Sequence, residues 1–210
     1  MESMFMKRLL SLFFFLALLS GAAVAATERS PDTLVQQVTD DVLNIVRQDK
    51  DIQSGDTKKA IALVDAKVLP YFDFQRMTAL AVGRNWRKAT PEQQKRLSEE
   101  FKKLLVRTYS NALTSYKDQT ISYKPSRVEP GETDVVVKTE IVQPGSKPVQ
   151  LNYALDKQAD GWKVYDVMVA GVSLVTNYRS SFAQEVRDKG IDGLVTMLSE
   201  RNKQLESGSK

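Results

Sequence analysis

The sequence predicts an α+β domain, with a helical N-terminal half, a four-stranded, mainly antiparallel sheet and helices again at the C-terminus. Three observations lead there. Apolar residues recur at three- and four-residue steps from about residue 32 to residue 116. After Lys117 the period changes to two, with the alternating runs separated by Pro-Gly and Asp-Gly pairs. From Ser173 onward the helical period returns.

The elements follow in order. Leu34, Val35, Val38, Val42, Ile45 and Val46 make one apolar stripe against Asp40, Asp41 and Arg47, predicting a first helix from Asp32. Ser54-Gly55-Asp56 breaks it. A second helix carries Ile61, Val64 and Val68 and stops near Pro70, which has no N–H to donate. Asp73 caps a third, running through Met77 and Leu80 toward Gly83. Thr90-Pro91-Glu92-Gln93 is a capping box with Pro at the first helical position, and it opens a long helix whose apolar face extends from Leu97 to Tyr116.

The strands are expected at 121–128, at 133–142 after Pro130-Gly131, from Val149 to Leu155 after Pro144-Gly145, and from Trp162 to about Val169 after Asp160-Gly161. Ser173 caps a helix carrying Leu174, Tyr178, Phe182 and Val186, and Asp192 caps a last one carrying Val195, Leu198 and Leu205. No internal repeat or interdomain linker divides this span.

The N-terminus has a different purpose. Lys7 and Arg8 precede a mostly apolar run from Leu9 to Leu19, followed by small residues that include Ala23-Val24-Ala25. This is the pattern of a cleaved secretory signal, residues 1–25, leaving one domain at 26–210. The run is shorter than the ~20 residues a spanning helix needs. With no Cys after the cleavage site, lipoprotein anchoring is excluded.

Composition removes many functions. The 210 residues include no Cys and no His, so disulfides, Cys or His metal sites, Ser-His-Asp triads and Cys-His nucleophiles are excluded. No carboxylate-rich metal pattern or Gly-rich phosphate loop is present. A net charge of +4 without a Lys/Arg run argues against nucleic-acid binding and permits contact with anionic surfaces. Hydrophobic residues at 42% suffice for one core. An enzyme built from this inventory would rely on Asp166 with Tyr165, Tyr109 or Tyr153, a carboxylate and a phenol acting on a carbonyl compound. A broad apolar set, Leu105, Tyr109, Leu113, Val137, Leu151, Tyr153, Val164, Met168 and Val172, either closes as a core or lines a cavity, and periodicity does not choose between them.

The run Gly161-Trp162-Lys163-Val164-Tyr165-Asp166-Val167-Met168-Val169-Ala170-Gly171-Val172-Ser173-Leu174, continuing to Asn177-Tyr178-Arg179, resembles the MlaC, or toluene-tolerance, family of periplasmic phospholipid-binding proteins. Gly83-Arg84-Asn85-Trp86-Arg87-Lys88-Ala89 ahead of the capping box, Thr108-Tyr109-Ser110-Asn111-Ala112-Leu113, and Lys189-Gly190-Ile191-Asp192-Gly193-Leu194 extend the resemblance in the family's order.

The resemblance implies a nuclear-transport-factor-two-like cone whose curved sheet and helices enclose an apolar cavity. It implies a periplasmic carrier rather than an enzyme, monomeric, with phospholipid as cargo and no cofactor or metal. The implied partners are an inner-membrane ABC transporter complex with an MCE-domain protein and an outer-membrane lipoprotein with a porin, contacted transiently and without insertion. Together they would maintain outer-membrane lipid asymmetry. The apolar set named above then becomes the expected lipid-binding surface, and Arg84, Arg87 and Lys88 the expected contacts for headgroups or acidic docking surfaces. Val172, between Gly171 and Ser173, is expected at the cavity wall, where an acidic replacement would expel lipid. A small-molecule isomerase or hydrolase on the same cone and a lipid-free envelope adaptor are the competing functions.

Overall fold

The computed structural model describes residues 29–126, 128–129 and 131–208. The expected signal segment and Pro130 lie outside the described residues. Among those residues, no helix is long and apolar enough to cross a membrane.

Helix α1 spans Pro31–Gln48, its N-terminus capped by the Ser30 hydroxyl, which accepts from Thr33 N–H. Short α2, Lys50–Gln53, and α3, Thr57–Lys67, follow, each capped by an aspartate, Asp49 and Asp56. A 3₁₀ turn at Leu69–Tyr71 takes up Pro70. Asp73 caps α4, Phe74–Val82, which stops where Gly83 adopts a φ of 63° that β-carbon-bearing residues rarely take. After a 3₁₀ segment at Gly83–Lys88, α5 runs from Pro91 to Tyr109 behind a complete capping box, with the Thr90 hydroxyl accepting from Gln93 N–H and the Gln93 carboxamide oxygen accepting from Thr90 N–H.

The helix expected to continue to Tyr116 breaks at Ser110 and resumes as α6, Asn111–Thr114. Ser and Asn side chains compete for backbone groups and weaken a helix interior. Leu113 and Tyr116 pack against the cluster of Val42, Val46, Ile52 and Ala60, apart from the core that holds Leu97, Phe101 and Leu105 of α5.

The strands are β1 Thr120–Tyr123, β2 Asp134–Val142, β3 Val149–Gln158, β4 Gly161–Val169 and β5 Val172–Ser173, an antiparallel meander in chain order. Two expectations change. The first strand ends at Tyr123 rather than Val128 because Pro125 has no N–H for the ladder. A fifth strand joins the four expected: Ala170 at φ 50° and Gly171 at φ 82° turn the chain back so that Val172 pairs with Val169. Ser173 therefore belongs to the sheet, and its hydroxyl accepts from Thr176 N–H to open a 3₁₀ turn at Thr176–Tyr178.

The last helical stretch, α7, covers Arg179–Gly208 with a kink at Gly190, whose φ of 73° and ψ of −175° are not helical.

Two apolar cores result. Helices α4, α5 and α7 pack around Leu97, Phe101, Leu104, Phe182, Leu194 and Leu198. Phe101 meets Tyr178 and Phe182 edge-on at centroid distances of 5.2 and 5.3 Å. Leu34 and Val35 of α1 pack on the sheet face carrying Val135, Val137, Leu155, Trp162 and Val164. A bulge where β4 passes Ala154 and Leu155 bends the sheet.

Arg76 of α4 ties the helical cluster to the sheet. Its guanidinium donates to Asp156 at 2.6 Å and Asp134 at 2.8 Å and lies 3.5 Å from the Tyr165 ring centroid. Burial opposes its charge, but the two carboxylates prevail and hold its pKa above the ordinary arginine value.

Replacing Thr90 by Ala removes the capping box and is expected to destabilise the protein by about 1 kcal/mol, lowering the melting temperature by roughly 2–4 °C. Chemical denaturation with an unchanged m-value checks it.

Candidate functional site

α1 covers the sheet only in part. Its stripe of Leu34, Val38, Val42 and Leu43 faces Leu151, Tyr153, Val164 and Ile141 across a cavity of about 460 Å³. Tyr71 and Phe72 close one side, and α6 contributes Ala112 and Leu113. The volume is in the range of small-molecule pockets, and the wall is almost wholly aliphatic and aromatic.

The polar lining is sparse. The exposed lining residues, Ala112, Ser115 and Gln143, mark the open end. Beside them Tyr116 accepts from Arg47 Nη2 at 2.6 Å and donates to the Gln119 carbonyl at 2.7 Å, so a cation sits just outside the mouth. Deeper in, burial pushes the Tyr153 pKa up to about 12, with the Thr39 side chain opposing that shift. The phenol is therefore neutral throughout the physiological range. Tyr123 bonds the exposed Asp40 carboxylate of α1 at 3.1 Å, and Ser126 bonds Asp32, fastening this helix to the β1 side.

The expected lipid-contact residues separate on this geometry. Leu113, Leu151, Tyr153 and Val164 line the cavity together. Leu105 lies instead in the helical core with Phe101 and Leu198, and Val137 is fully buried in the sheet cluster. Tyr109 is exposed at the end of α5. Met168 is half-buried, flanked by Asn152 and Ser173, and does not line the cavity.

Val172 is a correction to the expectation of a wall position. It shares its face of the sheet with Leu151 and Val169, but the β4–β5 turn carries it to the edge, 55% exposed and outside the lining. Much of the cavity wall comes from residues the sequence reading did not single out as lipid contacts: Val38 and Val42 of the α1 stripe, Tyr116 of the long-helix face, Ile141 of a strand, and Thr39 and Tyr71, which no stripe or strand had included. The breadth of the α1 stripe was the available signal for Val38 and Val42.

Arg84 and Lys88 line a separate groove of about 1180 Å³ between the 3₁₀ segment at Gly83–Lys88 and α7, and Arg87 flanks an adjoining hollow. None of the three lines the apolar cavity.

The catalytic pairing of Asp166 with a tyrosine is not assembled. Asp166 is buried, with Oδ1 accepting from Val167 N–H at 2.8 Å and Val175 N–H at 3.3 Å, and Oδ2 accepting from the Ser173 hydroxyl at 2.5 Å. It holds the β4–β5 turn and the chain leaving it. Tyr165 donates to Asp134 instead, at 2.6 Å. Among the described residues no group of three or more acidic side chains is placed to hold a metal.

An α+β fold whose sheet and first helix flank an apolar cavity defines a class of protein that houses a hydrophobic ligand. Comparison with known proteins narrows the class. The family model described as MlaC protein matches residues 36–200, and the chain belongs to that family.

Among curated relatives, the intermembrane phospholipid transport system binding protein MlaC of Haemophilus influenzae is 26% identical over 193 residues, covering 90% of each chain. Toluene tolerance protein Ttg2D of Pseudomonas putida is 29% identical over 201 residues, covering 92% of this chain and 90% of the relative. Among solved structures, the phospholipid-binding protein of Ralstonia solanacearum, in complex with a phospholipid, is 42% identical with a TM-score of 0.79, and the match covers 85% of this chain and 99% of that one.

Asp166→Asn removes an acceptor from a buried set of donors and is expected to destabilise the fold by about 1–3 kcal/mol. Thermal unfolding of the variant checks the magnitude.

Proposed function

We propose that this chain is a periplasmic phospholipid carrier, taking diacyl lipid from one membrane system and yielding it to another without chemistry of its own. The observation that carries this reading is the apolar cavity between α1 and the sheet, open to solvent. The 42%-identical phospholipid-bound structure supports it.

The energetics favour a carrier. A diacyl phospholipid has on the order of 30 chain carbons, and at ~0.8 kcal/mol per methylene its exposure to water costs over 20 kcal/mol. Diffusion as a free monomer is negligible at that cost. Transfer from one hydrocarbon surrounding to another is close to neutral, so a greasy cavity accepts and releases lipid where a binding event from water would be irreversible. Dispersion contacts are non-directional, which makes such a cavity tolerant of chain length.

The Asp40–Tyr123 and Asp32–Ser126 hydrogen bonds and the apolar contacts of Leu34 and Val35 hold α1 on the sheet beside the cavity. The mouth at Ser115, Gln119 and Gln143 keeps the polar end of the lipid in water.

As the resemblance implies, the donor and acceptor complexes are the inner-membrane ABC transporter with its MCE-domain protein and the outer-membrane lipoprotein with its porin. The chain meets them transiently and as a monomer.

Native mass spectrometry with organic extraction is expected to find stoichiometric phospholipid on the purified protein, and none would be found on a lipid-free adaptor. Leu151→Asp places an unpaired carboxylate on the cavity wall and is expected to strip the lipid from folded protein, while Val172→Asp, at the exposed sheet edge, is expected to retain it. Equal retention by both variants would remove the cavity from the account. A turnover that disappears in Asp166→Asn protein still folded at the assay temperature would favour an enzyme.

A further inference from the structure

The groove beside α7 has a composition unlike that of the lipid cavity. Arg84, Lys88, Arg179 and Arg187 line it and, among the described residues, no acidic side chain does. Its apolar lining is Val82, buried, with Ala183, Val186 and Ile191, half-buried. The kink at Gly190 lies in its wall.

The cations are available. Arg84, Arg87 and Lys88 have no hydrogen bond or ion pair among the described residues, whereas Arg179 spends Nε and Nη2 on the Leu80 carbonyl at 3.1 and 3.0 Å. That bond holds the Arg179 guanidinium in place on the groove wall. Of the acids on this stretch of α7, Glu185 is neutralised by Lys189, while Asp192 and Asp188, bonded by the neutral amides of Gln93 and Gln184, keep their charge outside the groove lining.

We propose that this groove docks an acidic segment of a partner protein, with Asp or Glu side chains meeting the basic walls and apolar side chains seated on Val82, Val186 and Ile191. Charge complementarity sets the sign of the partner. The shape sets its class: the apolar atoms lie inside a concavity between two helical elements, where a narrow peptide segment reaches and the plane of a bilayer does not. A groove of about 1180 Å³ with four separated cations also exceeds what a single small anion spans. The site shares no residue with the lipid cavity, so the proposal stands independently of the carrier reading.

The test uses the full chain against a displayed library of random 16-residue peptides, with phosphatidylglycerol vesicles as the membrane arm. Enriched peptides are expected to be net acidic with spaced apolar residues and to weaken as salt rises. Their affinity is expected to fall at least tenfold for the double variant Arg84→Glu/Lys88→Glu, while the bound phospholipid seen by native mass spectrometry stays unchanged. Ala183→Trp, which fills the groove and leaves its charge alone, is expected to lower the affinity as well.

Peptides without acidic bias, or peptides that bind both variants as tightly as the parent chain, overturn the proposal. So does vesicle binding that needs Arg84 and Lys88 when no peptide is enriched, or a self-association of the chain that the double variant abolishes.

Discussion

The constraint on which the structure depends is an apolar sheet face wider than the helix laid over it. β2, β3 and β4 present Val135, Val137, Ile141, Leu151, Tyr153, Leu155 and Val164 to one side, and α1 with Tyr71 and Phe72 covers part of that face. Protein interiors normally close-pack, because each unfilled gap forfeits dispersion contacts. Here Leu34, Val35 and Val38 pack on the sheet cluster, and the same stripe, with Val42 and Leu43, lines the cavity beside it. The surface left unmatched is what a hydrocarbon chain completes, so the cavity and the affinity for lipid have the same origin.

Stability is supplied elsewhere. The α4–α5–α7 cluster, with Phe101, Phe182, Leu194 and Leu198 fully or nearly fully buried, packs solidly and does not depend on the cavity. Arg76, held between Asp134 and Asp156 over Tyr165, connects that cluster to the sheet. Asp166 and Ser173 lock the turn where the sheet gives way to the last helix. One half is close-packed, and the other keeps one apolar face partly uncovered. Cations are divided in the same way, Arg47 standing at the cavity mouth and Arg84 and Lys88 in a groove of their own.

Much of the fold was legible in the sequence. The caps at Asp73 and Thr90, the helix ends at Pro70 and Gly83, and the strands between Pro-Gly and Asp-Gly turns are local decisions, made by hydrogen bonds and dihedral preferences within a few residues. The departures also have local causes in hindsight. Pro125 shortens β1, Ser110 and Asn111 interrupt α5, and Ala170 with Gly171 fold a fifth strand where a helix cap was expected.

The site was legible only as an inventory. By itself the sequence determined which residues are apolar, the element to which most of them belong, and, through the run from Gly161 to Leu174, the family it resembles. The tertiary structure alone decided which of those residues meet one another and which meet a void. Leu105 and Leu113 have the same helical spacing, yet one is buried against α7 and the other lines the cavity, because the break at Ser110 redirects the chain. Val164 and Val172 are strand valines eight positions apart, one in the cavity wall and the other at the exposed edge. Local preferences act over a turn or two of chain. A hollow is set by the separation of elements far apart in sequence, here α1 and β3, and no periodicity within either one encodes that distance.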